Sequence, residues 1–158
     1  SAIQVLEGLE ATSHWLELEA LGYTFRSRTD SEVVLNAYAE WGEECVTRFN
    51  GMFAFALWDR DERVLCMARD RFGEKPLYWG WQGNSLLFGS ELKALKAHPS
   101  FRAAIDRGAL ALLLRHGYIA APHSIYENIH KLQAGHYVSI KLDRQQAPSA
   151  TPVPSRRS

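Results

Sequence analysis

The stretch MFAFALW, residues Met52–Trp58, is an uninterrupted apolar run, and a second run, VLCMA, follows at Val64–Ala68. The residues between them, 59–63, are all charged. Two apolar runs joined by a short polar segment predict an antiparallel β-hairpin. An antiparallel strand with one face in water alternates between apolar and polar residues, and neither of these strands does. We therefore expect both faces of the hairpin to be covered, in an α+β fold whose sheet lies between a second sheet and a layer of helices.

The composition around this hairpin is that of a folded globular domain. The chain has 158 residues, of which 46% are hydrophobic, and its 18 basic residues balance 18 acidic ones. A chain without net charge has no overall attraction for nucleic acid or for an anionic membrane. The run Met52–Trp58 is also far shorter than a transmembrane helix requires. We expect a cytoplasmic protein with no nucleic-acid partner and no membrane partner.

The stretch 144–158 differs from the rest of the chain because it is rich in proline, serine and arginine and contains no acidic residue. Such a composition is typical of a linker. We therefore expect residues 1–143 to form the domain and residues 144–158 to form a linker or tail.

Two helices are predicted from their start and stop signals. The segment Thr29–Glu32 has the pattern of a capping box, in which the side chains of its first and last residues accept hydrogen bonds from backbone N–H groups. The helix that it opens would have one apolar face, made of Val33, Val34, Ala37, Tyr38 and Trp41. Asp106 is expected to cap a later helix that ends at His116. Three leucines of that helix are expected to face inward: Leu110, Leu113 and Leu114.

The cysteines and histidines of this chain do not have the sequence neighbours that a nucleophile or a metal ligand needs. Cys45 lies in a predicted helix and Cys66 in a predicted buried strand, and neither has a histidine beside it. A buried cysteine ordinarily behaves as a small apolar residue. The six histidines show no metal-ligand spacing, and the chain has no glycine-rich phosphate-binding motif. We expect no metal site.

Two charged features each have two interpretations. The Asp30 carboxylate is favoured in the first turn of a helix by the helix dipole, but at a strand-to-helix junction it would also be available to a ligand's ammonium group. The segment Arg69–Pro76 is either an exposed turn or a loop that a buried pair, Arg69 and Asp70, fixes near a site. The local pattern alone leaves both pairs of interpretations open.

Four segments, in this order and at this spacing, resemble one family. They are TDSE at Thr29–Glu32, FNGMFAFALWD at Phe49–Asp59, ARDRFGEKPLY at Ala68–Tyr78 and FGSELKAL at Phe88–Leu95. Together they are similar to the glutaminase domain of glutamine-hydrolysing asparagine synthetases. Those enzymes are class II glutamine amidotransferases of the N-terminal-nucleophile hydrolase type. The resemblance runs from about Leu16 to Leu142.

The resemblance implies both a fold and a site. The fold is a four-layer αββα sandwich, of which residues 1–143 would form a part. Glutamine would be the substrate, and Asp30 would bind its α-ammonium group. The remaining candidate residues would support the loop around the site: Arg69, Asp70, Lys75 and Glu91. No residue is expected to hold a metal.

The resemblance also implies a partner and cofactors outside this chain. In complete members of the family, a synthetase domain uses ATP and magnesium to attach the released ammonia to aspartate or a similar carboxylate. The chain itself would hold no cofactor. Its partners would be glutamine and the synthetase domain of a full-length protein.

The chain departs from the family pattern at its start. The family's nucleophile is an N-terminal cysteine, whereas the first residue here is Ser1, and the family's arginine-bearing and Asn-Gly-Glu segments have no counterpart before Leu16. We therefore expect a truncated domain with no catalytic residue and no glutaminase activity of its own. The alternative is a non-catalytic scaffold that supports a synthetase domain, as in β-lactam synthetases. Missing strands would expose a sheet edge, so a homodimer is also expected.

Overall fold

The computed structural model describes residues 2–5, 12–27, 29–49 and 51–142, and its helices and antiparallel sheets confirm the α+β class. The predicted tail therefore lies outside the described residues. In chain order the elements are β1 (Ala2–Val5), α1 (Thr12–Ala20), α2 (Asp30–Trp41), a 3-10 helix (Gly42–Glu44), α3 (Cys45–Arg48), β2 (Ala54–Asp59), β3 (Val64–Arg69), β4 (Tyr78–Gln82), β5 (Ser85–Gly89), α4 (Leu92–Lys96), α5 (Arg107–His116), β6 (His130–Lys131) and β7 (Tyr137–Lys141).

These elements divide into two compact units. The first contains the described residues up to Lys75 together with residues 134–142, and the second is Pro76–Gln133. Each unit has its own antiparallel sheet, with strand order β1-β2-β3-β7 in the first and β5-β4-β6 in the second. In the described ranges, no helix combines the length and the apolar character that crossing a membrane requires.

The predicted hairpin forms the centre of the first sheet. Strands β2 and β3 pair antiparallel, with Phe55 opposite Ala68 and Leu57 opposite Cys66. Residues 53–57 and 65–68 of the two predicted runs are buried, so the expectation that both faces are covered is confirmed for them, whereas Met52 precedes β2 and is exposed. Because opposite partners in a sheet point to the same face, these four residues share one face, and that face packs in a core with α1, α2 and α3.

Helix α2 supplies much of that core. Its buried residues are Val33, Val34 and Ala37, and Tyr38 and Trp41 pack against the same core while partly exposed. The predicted apolar face of this helix is therefore confirmed. The sequence pattern does not predict β1, which pairs with β2 along its whole length, because four residues are too short a window to show a period.

The second unit contains an error of the sequence-based interpretation. Helix α5 begins where predicted, and the Asp106 carboxylate accepts a hydrogen bond from the Ala109 N–H at 3.0 Å. The inward direction expected for its leucines is wrong for two of them, because Leu110 and Leu114 are exposed whereas Ala109 is buried and Leu113 half-buried. At helical spacing Arg107 and Arg115 lie opposite Ala109 and Leu113, so the apolar face is the one that carries those two residues, and the leucines alone do not reveal it.

Gly80 is the position in the second sheet that tolerates a side chain least. A Cβ atom placed there would lie 1.8 Å from the backbone carbonyl oxygen of Asn128. We expect Gly80→Ala to reduce the free energy of unfolding by about 1–3 kcal/mol, since a backbone atom cannot rotate away as a side chain can. Urea unfolding of the variant measures this. The control is Gly83→Ala in the β4–β5 turn, where a Cβ has nothing within 4 Å and only the left-handed backbone, φ +61°, opposes alanine, at a cost of about 1 kcal/mol. A loss at Gly80 no larger than the loss at Gly83 would contradict the steric argument.

Candidate active site

Asp30 is the first residue of α2, and its side chain is half-buried. The residue before it, Thr29, has an extended backbone and makes no side-chain capping hydrogen bond. The Thr29 part of the predicted capping box is therefore wrong. Its hydroxyl lies instead 3.0 Å from the hydroxyl of Ser27.

Glu32, the other half of the predicted capping box, bonds to the loop that precedes the helix. Its carboxylate accepts hydrogen bonds from the backbone N–H groups of Arg26 at 2.7 Å and Ser27 at 2.8 Å, and from the Ser27 hydroxyl. These bonds, the one from Arg26 first, lower the pKa of the Glu32 carboxyl. The loop offers the Glu32 carboxylate three hydrogen-bond donors, whereas a capping box would offer it a single backbone N–H.

The Asp30 carboxylate takes no part in these hydrogen bonds. Among the residues that the structure describes, none donates a hydrogen bond to it and none pairs with it as a cation. A carboxylate in the first turn of a helix is stabilised in its charged form by the helix dipole. Asp30 is therefore a half-buried anionic acceptor at the start of a rigid helix, which is the chemistry that recognition of an ammonium group requires.

The hydrogen bonds from Arg26 and Ser27 to the Glu32 carboxylate, which we call the Glu32 anchor, can be followed by their pH dependence without any ligand. Because the pKa of this carboxyl in the folded protein lies below its ordinary value of 4.5, the anchor is intact at neutral pH and is lost as the pH falls through that lowered pKa. We expect the NMR shifts of the Arg26 and Ser27 amides to titrate with a midpoint below 4.5. Glu32→Gln should abolish this titration, and a midpoint at or above the ordinary value would show that the anchor does not form.

The segment after β3 is a fixed loop rather than an exposed turn. The buried Asp70 carboxylate accepts hydrogen bonds from three backbone N–H groups, those of Phe53 at 3.0 Å, Phe72 at 2.7 Å and Gly73 at 2.8 Å. Arg69, also buried, donates from Nε to the Lys75 carbonyl at 2.7 Å and from its terminal nitrogen to the Gly73 carbonyl. Both side chains therefore hold the loop by its backbone.

Gly73 closes this loop in a conformation that suits glycine. Its φ is +63°, in the left-handed region, and a Cβ there would lie 2.7 Å from the Cβ of Ala134 and 3.2 Å from the Arg69 guanidinium carbon. A residue with a side chain would be both strained and crowded at this position. The loop is thus specified by its sequence at three places, Arg69, Asp70 and Gly73.

A cavity of about 220 Å³ lies beside this loop. Aromatic and aliphatic side chains provide its apolar wall, and the loop provides polar groups; the lining residues are Val46, Phe49, Gly51, Phe53, Arg69, Asp70, Arg71, Phe72 and Gly135. Of the predicted site residues, the structure brings Arg69 and Asp70 to this cavity, with Lys75 in the same loop. Asp30 and Lys75 are not among the lining residues.

Glu91 is the remaining candidate, and it lies in the other unit. It is an exposed residue directly before α4, and its side chain makes no capping hydrogen bond to that helix. The aromatic lining of the cavity, Phe49 and Phe53, is the part of the site that the sequence did not suggest. Both lie in one of the motif segments, but Phe53 belongs to the apolar run Met52–Trp58 and the sequence predicts no site role for Phe49.

The two described cysteines have the wrong environment for a nucleophile. Both Cys45 and Cys66 are buried. Burial is the main cause that raises the pKa of each thiol to about 12, so neither forms an appreciable amount of the reactive thiolate at neutral pH. The described residues also contain no group of three or more His, Cys, Asp and Glu side chains that could hold a metal ion. Ser1 lies outside the described residues.

Comparison with known proteins identifies the domain. A family described as glutamine amidotransferase domain matches residues 14–150. The glutamine-hydrolyzing asparagine synthetase 3 of Bacillus subtilis is 41% identical over 128 residues, which are 80% of this chain and 21% of that protein. The asparagine synthetase 1 of the same organism is 36% identical over 127 residues, 80% of this chain and 20% of that protein. The chain thus spans about a fifth of the length of these curated relatives.

A solved structure gives the same result for the fold. The glutamine phosphoribosylpyrophosphate amidotransferase from B. subtilis, complexed with ADP and GMP, superposes with a TM-score of 0.63 and 18% identity, over 99% of this chain and 29% of that one. This likeness shows a shared fold. The family match covers most of the chain and confirms the resemblance of the sequence motifs. The chain belongs to the glutamine amidotransferase domain family.

Proposed function

We propose that this chain is the glutamine-binding part of an asparagine-synthetase-like amidotransferase, which hydrolyses glutamine to glutamate and ammonia and uses the ammonia to amidate a carboxylate. The observation that carries the proposal is the family match over residues 14–150. Both B. subtilis relatives are glutamine-hydrolyzing asparagine synthetases by name, which supports asparagine synthesis as the overall reaction. Because the chain spans about a fifth of their length, the synthetase part would be supplied by a longer protein.

Asp30 is the residue that we assign to substrate recognition. Its carboxylate has no competing partner among the described residues, and it lies at the start of α2, whose buried face holds it rigidly in the core. A charge-assisted hydrogen bond to the α-ammonium group would fix one end of glutamine. The side-chain amide at the other end would then be oriented toward the nucleophile of the complete enzyme.

The loop after β3 has a supporting role in this proposal. Asp70 and Arg69 hold residues 70–75 by the backbone and so keep the cavity wall in one conformation. We assign Arg69, Asp70 and Lys75 to this support and none of them to catalysis. No side-chain contact of Glu91 among the described residues supports a role for it in holding this loop. It remains a candidate only through the family motif.

The nucleophile and the cofactors belong to other parts of the complete protein in this proposal. The thiols of Cys45 and Cys66 are buried and protonated at neutral pH, as their raised pKa values require. The family reaction needs ATP and magnesium to activate the acceptor carboxylate, and those groups would bind the synthetase part. This domain would bind glutamine, orient it and deliver ammonia.

We expect this chain alone to release no glutamate from glutamine. Burial raises the pKa of both thiols in the 158 residues, Cys45 and Cys66, to about 12, so neither is available as a thiolate to attack the amide. The measurement is glutamate release by the purified chain, compared with a buffer blank. Release above the blank that disappears in Ser1→Ala would show that Ser1 substitutes for the cysteine. Release that disappears in Cys45→Ala or Cys66→Ala would show that the burial argument is wrong.

A further inference from the structure

Helix α5 (Arg107–His116) places large apolar side chains in water. Leu114 is 80% exposed and Leu110, one helical turn before it, is 37% exposed; Tyr118, just after the helix, is 65% exposed. We call these three residues the leucine patch. The helix is secured from its other side, where Ala109 is buried and the Asp106 carboxylate caps the first turn. The exposure of the patch is therefore a property of a well-anchored helix.

The helix segment that carries the leucine patch has charges of one sign. The segment from Arg107 to Tyr118 contains two arginines and His116, and it contains no acidic residue. Both arginine side chains, Arg107 and Arg115, are exposed. The acid at the start of the helix, Asp106, is engaged by the Ala109 N–H. The surface thus has an apolar centre between two guanidinium groups.

We propose that the leucine patch is the surface by which this domain docks onto the synthetase part of the complete protein, and that the partner surface is apolar with carboxylates at its rim. This inference rests on the proposed function. An apolar patch with hydrogen-bonding arginines at its edge is the composition of an interface core and rim. The relatives contain about four-fifths of their length beyond the matched part, so a large polypeptide surface is available to cover the patch.

A second copy of the chain fits this surface less well. Symmetric pairing of two α5 helices would gather four arginines, Arg107 and Arg115 of each copy, with no acidic residue of either helix to balance them. Uncompensated like charges at an interface oppose association. The charge of the patch therefore selects an acidic, different surface over self-association.

The test is binding of the 158-residue chain to the part of B. subtilis asparagine synthetase 3 that follows the matched region. That part is prepared as a separate polypeptide and accepted as folded when it forms asparagine from ammonia and ATP. Titration calorimetry should detect binding by the parent chain. The double variant Leu110→Gln/Leu114→Gln keeps residues that favour helices and should bind at least about tenfold more weakly. The control, Leu16→Gln/Leu21→Gln, changes two exposed leucines of the first unit and should bind as the parent does.

The remaining outcomes each decide between the inference and the proposed function. No binding by the parent chain overturns the docking inference, whereas glutamine use by the complete protein is measured separately. Equal binding by both double variants means that the domains dock through another surface, and the proposed function then stands without the leucine patch. Dimerisation of the parent chain in sedimentation experiments, lost in Leu110→Gln/Leu114→Gln, would assign the patch to a second copy and contradict the proposal.

Discussion

Replacing Asp70 by alanine should reduce the free energy of unfolding by about 3–5 kcal/mol. The substitution removes the acceptor of three backbone N–H groups, those of Phe53, Phe72 and Gly73. The carboxylate is 2% exposed, so water cannot reach all three donors without the loop opening. A buried donor without a partner costs about 1–3 kcal/mol, and hydrogen bonds to a charged acceptor are the stronger kind. Urea unfolding followed by circular dichroism measures the loss.

Two further variants make the Asp70 prediction specific. Asp70→Asn keeps one oxygen for Phe72 and Gly73 but turns an NH₂ group toward the Phe53 N–H, so we expect a smaller loss of about 1–3 kcal/mol. Asp61→Ala removes an exposed carboxylate from the β2–β3 turn and should change stability by no more than about 0.5 kcal/mol. If Asp70→Ala unfolded at the same urea concentration as Asp61→Ala, the carboxylate would not be holding the loop.

The sequence predicts the centre of the first unit well because burial there leaves few alternatives. Residues 53–57 can satisfy a continuous apolar pattern in a short segment only as a strand covered on both faces, and the charged residues 59–63 then require a turn. The same physical logic predicts α2, whose apolar residues recur at helical spacing. The pattern of α2 spans enough residues for the helical period to stand out.

The prediction fails where several local solutions satisfy the same pattern. Thr29 and Glu32 have capping-box spacing, but the Glu32 carboxylate finds more donors at Arg26 and Ser27, in a loop whose conformation the spacing does not contain. In α5 leucines occur on several sides of the helix, and the buried face is the one opposite Arg107 and Arg115, which carries Ala109 and Leu113. Leu110 and Leu114 are exposed for that reason.

The candidate site also has a part that the sequence predicts and a part that it does not. From the sequence, a loop fixed by Arg69 and Asp70 is one of two open interpretations. Their partners are backbone groups, and one of these, the Phe53 N–H, lies 17 residues before Asp70. Local patterns of that kind do not reveal such partners. For Asp30 the sequence physics leaves capping and ligand binding open, and only the family resemblance favours ligand binding. The structure adds that its carboxylate has no partner in the described residues.

Asp30→Asn should reduce glutamine use by the complete protein about ten- to a hundredfold. A hydrogen bond between two charged groups contributes about 1.5–3 kcal/mol, and the asparagine amide offers a neutral oxygen in place of the carboxylate. Loss of one negative charge from the first turn of α2 costs about 0.3–1 kcal/mol, so the melting temperature should fall only slightly. The matched control is Asp61→Asn, which makes the same chemical change at an exposed turn and should leave glutamine use unchanged.

The most direct test of the account compares two nitrogen sources in a full-length protein that carries this domain. Product formation is measured with glutamine and with ammonia, for the parent and for Asp30→Asn. Because ammonia bypasses the glutamine site, we expect the variant to form product from ammonia at close to the parent rate. With glutamine, we expect its rate of product formation to fall about ten- to a hundredfold. Equal rates for parent and variant with both nitrogen sources would contradict the assignment of Asp30 to glutamine. Equal losses with both sources would show that Asp30 serves only the fold.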